Sequence, residues 1–126
     1  MSPGGGTQNP PATKPPDNTV KGRAVRRLRL GVSRRKLYAY EILRFKGTLR
    51  ANANAATCQF RQKIALQRRK LRGGRFQTFD VAVTNRNGSF SVASRPTRSF
   101  VYRARVIRTR TCGGATSKLL RVVVRS

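Results

Sequence analysis

No histidine and no tryptophan occur in this sequence, and only three carboxylates do: Asp17, Glu41 and Asp80. Each shortage removes a class of chemistry. Two cysteines, Cys58 and Cys112, and three scattered acids supply too few donors to assemble a zinc or iron site. Without histidine there is no Cys–His nucleophile pair and no triad of the Ser–His–Asp kind. A carboxylate pair for glycoside chemistry would require Glu41 and Asp80 to meet, because Asp17 sits in the N-terminal segment. No phosphate loop of the GxxxxGK pattern is present. The expectation is a protein that is not an enzyme and that uses no cofactor or metal.

Long apolar runs are missing too. No stretch of 18 or more apolar residues exists, so no transmembrane segment is expected. The first residues, MSPGGGTQNPPATKPPDN, have neither the basic start nor the apolar stretch of a secretory signal. Two expectations follow: a cytoplasmic protein, or an exported one whose true start lies upstream.

What the chain does have is positive charge. Lys and Arg number 29, for a formal charge of +26, and seven of them are Lys. A surface so charged attracts polyanions, whether nucleic acid, anionic polysaccharide, phosphate polymer or anionic lipid. Of these cations, Lys14, Lys21 and Arg23 alone precede residue 24, so the charge belongs to the folded body rather than to a basic tail.

Residues 1–22, rich in Pro, Gly, Thr and Asn without apolar periodicity, read as a disordered tether. Residues 23–126 read as one domain. Leu28, Leu30 and Val32 alternate with Arg29 and Gly31; Leu43, Phe45, Gly47 and Leu49 alternate with Arg44, Lys46 and Thr48. Further strands are marked by Ile64 and Leu66, by Phe79, Val81 and Val83, and by Phe90 and Val92. Phe100 to Val106 and Leu120 to Val124 complete a set of seven. Asn85-Arg86-Asn87-Gly88 has the Asn-Gly ending of a hairpin turn. The expected fold is an all-β antiparallel sandwich, with a small closed barrel as the alternative.

Cys58 precedes the third expected strand and Cys112 follows the sixth. In a sandwich those strands are sheet neighbours, which sets both cysteines at one end. A disulfide there would be worth roughly 4 kcal/mol on the chain-entropy model. Two buried thiols in a cytosolic protein remain the alternative.

Phe45-Lys46-Gly47-Thr48-Leu49, Cys58, and Lys63-Ile64-Ala65-Leu66-Gln67-Arg68-Arg69 follow a recognisable order. Thr84 to Phe90, Tyr102 to Val106, Cys112 with Ala115 and Ser117, and the closing Val122-Val123-Val124 continue it. Over residues 25–126 the ensemble resembles the immunoglobulin-like, fibronectin-like β-sandwich modules of secreted bacterial proteins, especially actinobacterial ones. The resemblance implies an extracellular or cell-envelope module with a Cys–Cys link, acting as spacer, adhesion or carbohydrate-contacting unit. It carries no catalytic residues to transfer. The chain departs from those modules in its basicity, which points to a polyanionic partner.

With Phe100, Tyr102, Leu120 and Val122 facing inward, Arg103, Arg105, Arg121 and Arg125 face outward, joined by Lys63 and Arg69 from the third strand. If the three strands share a sheet, its outer face is an arginine field suited to phosphate, sulfate and carboxylate groups. Like charges set opposite one another would invite an anion to bridge them. The plainer reading is a solvated face that reflects compositional bias. The expected function is a non-catalytic structural or adhesion module that contacts anionic cell-envelope polymers. The alternative is a cytosolic, nonspecific nucleic-acid-binding protein.

Overall fold

Alternation of apolar and charged residues along the chain becomes a succession of strands in the computed structural model, which describes residues 22–125. The tether expected over residues 1–22 lies, but for Gly22, outside the described residues. All seven expected strands are present: β1 (Arg26–Val32), β3 (Leu43–Ala51), β4 (Lys63–Lys70), β5 (Gly73–Val83), β6 (Ser89–Ser94), β7 (Phe100–Val106) and β9 (Leu120–Arg125). Two more, β2 (Lys36–Tyr38) and β8 (Ala115–Thr116), are too short for a period of two to be legible. One helical turn, α1 (Ala55–Cys58), precedes β4.

The strands form two hydrogen-bonded sheets, a small one in the order β1-β3-β6 and a large one in the order β2-β9-β7-β4-β5, with β8 paired to β7. The expectation of purely antiparallel pairing is corrected at one place: β2 runs parallel to β9. Inward side chains of both sheets share one core, in which Leu28, Phe45 and Leu49 meet Ile64, Leu66, Tyr102 and Val122.

Two local expectations also change. The Asn85–Gly88 turn does not close a hairpin, because β6 pairs with β3 of the other sheet. Leu49 donates its backbone N–H to the Gly88 carbonyl at 2.7 Å, tying the turn to β3. Gly88 has φ of 76°, and a Cβ there would run into the Leu49 carbonyl, so the close crossing requires glycine. Along β5, Val81 and Val83 are exposed and Ala82 is buried. The cause is a bulge: Gln67 pairs with Thr78 while Leu66 pairs with Asp80, leaving Phe79 as the extra residue and inverting the alternation beyond it.

At one end of the molecule Cys58 and Cys112 form a disulfide, with Cα atoms 5.5 Å apart. Both sulfur atoms pack with Ala24 and Ala51 in a small satellite core. Arg26 shares the inward parity of Leu28 and is only 4% exposed. Its Nε donates to the Gly113 carbonyl at 2.6 Å, and Nη2 donates to the Ile107 carbonyl at 3.0 Å. Nη1 donates to the Cys58 carbonyl and to Gln62 Oε1 at 3.1 and 3.0 Å. Desolvation lowers its pKa. The cation is thus held by neutral acceptors that flank the disulfide, and it ties β1 to both cysteine-bearing segments.

Candidate anion-binding surface

Strands β4, β7 and β9 are neighbours in the large sheet, so outward residues on them share a face. Arg103 lies opposite Gln67 and Arg105 opposite Ala65, while Arg69 and Arg121 flank Val101 from either side. These four arginines therefore occupy successive rows on three adjacent strands. Lys63 stands two positions from Ala65 along β4, diagonal to Arg105. Arg125 is set apart: it lies beyond the β7–β9 ladder, about 13 Å along the strand from Arg121, and its neighbour is Tyr38 of β2.

The register corrects one part of the sequence argument. No two of the six expected cations oppose each other directly, because Gln67, Ala65 and Val101 occupy the facing positions. Crowding acts along the diagonals instead. Partial burial first, and the Arg105 charge second, lower the pKa of Arg103. Burial and repulsion of this kind make a fixed cation receptive to an outside anion.

An aromatic residue left unplaced by the sequence, Phe76, organises this face. The Arg103 guanidinium carbon lies 3.9 Å from the ring centroid and that of Arg69 lies 5.3 Å away. Arg103 also donates Nε–H to Gln67 Oε1 at 2.8 Å, and Gln67 donates to the Thr78 hydroxyl at 3.2 Å. The stem of Arg103 is thereby held, while its two Nη atoms have no acceptor among the described residues. Its odd spacing from inward Phe79 was a signal that Phe76 faces outward.

The carboxylates lie elsewhere. Among the described residues the one ion pair is Arg34–Glu41, at 3.3 Å between exposed side chains. Asp80 accepts from the backbone N–H of Val81. Tyr38 and Tyr40 are 60% and 68% exposed, and Tyr38 shares the outer face with Arg125.

No protein-family model and no curated protein matches the sequence. Among solved structures the chain is similar to superoxide reductase (neelaredoxin) from Ignicoccus hospitalis, with a TM-score of 0.60 and 11% identity. The match covers 86% of this chain and 87% of that one. The likeness is one of fold. It overturns the expectation that this protein is not an enzyme: the exclusion rested on an inventory of histidines, thiols and carboxylates, and the fold those residues were absent from is one that an enzyme uses. Among the described residues no three His, Cys, Asp or Glu side chains come together as a metal-binding group. No helix among them is long and apolar enough to cross a membrane.

Proposed function

We propose that this domain is an immunoglobulin-like module that binds an anionic polymer of the cell envelope or extracellular space through the outer face of its large sheet. The observation that carries the reading is Arg103, stacked on Phe76, braced by Gln67 and crowded by Arg105, with both Nη atoms turned to no carboxylate among the described residues. An arginine so held presents its donors in a fixed fork, the arrangement that suits sulfate, phosphate and carboxylate. Arg69, Arg105 and Arg121 extend the field along neighbouring rows, as a polymer with repeated charges requires. The module class is supported by the strand orders β1-β3-β6 and β9-β7-β4-β5 and by the resemblance in motif order. The disulfide favours an oxidising compartment.

Heparin and inorganic polyphosphate are the probes. Binding should weaken steeply with salt, because each neutralised anion releases counterions. Replacing Arg103, Arg105 and Arg121 by Gln should reduce affinity at least tenfold and flatten the salt slope. Replacing the exposed loop residues Arg98, Arg108 and Arg110 by Gln removes the same charge and should change affinity less than threefold. Equal losses from the two triple variants would show that net charge alone attracts the polymer.

A nucleic-acid strand is the second reading, favoured by the exposed rings of Tyr38 and Tyr40, on which bases could stack. It requires tighter binding to single-stranded DNA than to heparin of equal charge, and a loss on Tyr38→Ala.

A further inference from the structure

The small sheet carries cations that the function proposed above does not use. The same alternation that buries Leu28, Phe45 and Leu49 turns Arg27 and Arg29 of β1 and Arg44, Lys46 and Arg50 of β3 outward, and all five are exposed. Their register differs from that of the large sheet. Arg27 stands directly opposite Arg50, an arrangement that is destabilising in an antiparallel pair unless something neutralises it. Arg29 faces Thr48, Thr48 faces Ser89, and Lys46 faces Ser91. The cations therefore border a strip of hydroxyls, with no carboxylate on any of the three strands. A groove of about 770 Å³ is lined by Arg29, Lys46, Thr48, Ser89 and Ser91 among others.

We infer that this face is a second binding site for the same kind of polymer, a sulfated or carboxylated polysaccharide, and that the protein bridges two chains. The inference rests on the reading of the large sheet as the first site. Hydroxyl and cation together suit a polysaccharide, since Ser and Thr can both donate to an oxyanion and exchange hydrogen bonds with ring hydroxyls. The faces point in opposite directions from sheets stacked about 10 Å apart, so a short stiff chain lying on one cannot reach the other. Two chains are needed to neutralise both.

Native mass spectrometry with a heparin octasaccharide tests this, because so short a chain cannot wrap the domain. The unaltered protein should carry two octasaccharides. The triple variant Arg29→Gln, Lys46→Gln, Arg50→Gln should carry one, as should Arg103→Gln, Arg105→Gln, Arg121→Gln. Gly31→Glu gives an independent probe. Gly31 lies on the outer side of β1 opposite Lys46, and the nearest heavy atom to a Cβ there is the Lys46 carbonyl at 3.9 Å. The glutamate fits without strain, sets a negative charge beside the groove, and should also leave one chain bound. With longer heparin, surface-bound chains should capture labelled chains through the unaltered protein and lose this capture at least tenfold in each variant.

A small-sheet variant that still carries two octasaccharides overturns the inference, as does an unaltered protein that saturates at one. So does a loss of the second chain in the loop variant, which would make the effect one of net charge. A second site that accepts a single-stranded oligonucleotide but no octasaccharide also overturns it. An unaltered protein that binds no octasaccharide at all defeats the reading of the first site, and is distinguishable from those outcomes.

Discussion

The disulfide end of the molecule and the outer face of the large sheet use the same side chain in opposite ways. At the first, Arg26 is buried and gives its donors to three carbonyls and an amide oxygen. At the second, Arg103 spends one donor on Gln67 and rests on an aromatic ring, with the rest of its fork left to solvent. Strand parity decides which fate an arginine meets: Arg26 shares the phase of Leu28, Arg103 the opposite phase to Tyr102. A buried guanidinium whose donors are satisfied acts as a brace, whereas an outward one whose donors are held but unmatched is available to a ligand. The difference predicts that substitutions at the two regions separate stability from binding.

The largest effect should come from the disulfide. It closes a loop with a sequence separation of 54 residues, worth about 4 kcal/mol through the unfolded chain. The double variant Cys58→Ala, Cys112→Ala should lose most of that in urea denaturation. Heparin affinity should stay unchanged at a temperature where the variant is folded. A denaturation midpoint that does not move would show that the Arg26 brace alone holds this end together.

Arg26→Met comes next. The methionine fills much of the same volume but takes donors from four acceptors, the buried Cys58 carbonyl and three part-buried ones, a loss of about 3 kcal/mol and a fall in Tm of roughly 10–20 °C. Arg26→Lys should lie between, because an ammonium cannot reach acceptors spread around a planar fork. Arg103→Met should lower Tm by only about 5 °C, through the lost stacking on Phe76, and reduce polymer binding. If Arg26→Met instead weakens binding and leaves Tm intact, the contrast between brace and site fails.

How much of this was legible follows from what period two can carry. Apolar positions such as Leu66, Tyr102 and Val122 declared their face, and the outward arginines of β7 and β9 followed from them. Arg26 had the same phase as Leu28, yet a cation at an inward position is not recognised as core until its acceptors are known. Those acceptors come from residues 32 to 87 positions away in sequence, and nothing local announces them. The bulge at Phe79 was hidden for the same reason, since an extra residue is defined only against its partner strand. Arg29, Arg44 and Lys46 were visible as alternating cations, but their grouping with Arg27 and Arg50 depends on the pairing of β1 with β3. Cross-strand pairing also explains why opposed like charges belong to the small sheet rather than the large one.

Phe76 sharpens the comparison at intermediate size. Phe76→Leu keeps every charge on the large face but removes the ring under Arg103. Stability should fall by about 1 kcal/mol, and heparin affinity should fall severalfold because the guanidinium is no longer held in one orientation. Titration of the folded variant against salt measures this. The salt slope should stay as in the unaltered protein, since the number of cations is the same. Unchanged affinity and slope in a variant that has lost stability would mean that Phe76 packs the sheet but does not position Arg103.

Tyr102 tests the buried side of the contrast with the smallest perturbation. Its ring lies in the aromatic cluster with Phe45, Phe79 and Phe100, and its hydroxyl is buried with no hydrogen-bond partner among the described residues. Burial raises the phenol pKa, and the nearby Arg68 charge opposes part of that rise. Because the folded state holds this proton more tightly than the unfolded chain, both states are protonated at neutral pH and the group adds no pH dependence there. Above about pH 10 the unfolded chain releases the proton first, so stability falls as pH rises towards the higher folded value. Tyr102→Phe removes that loss and also removes an unsatisfied hydroxyl, so at pH 7 it should be neutral or stabilising by up to about 1 kcal/mol. Urea midpoints measured from pH 8 to pH 11 should diverge, with the phenylalanine variant retaining more of its stability at the alkaline end. Parallel curves would show that the Tyr102 hydroxyl meets water in solution and that this part of the core is open.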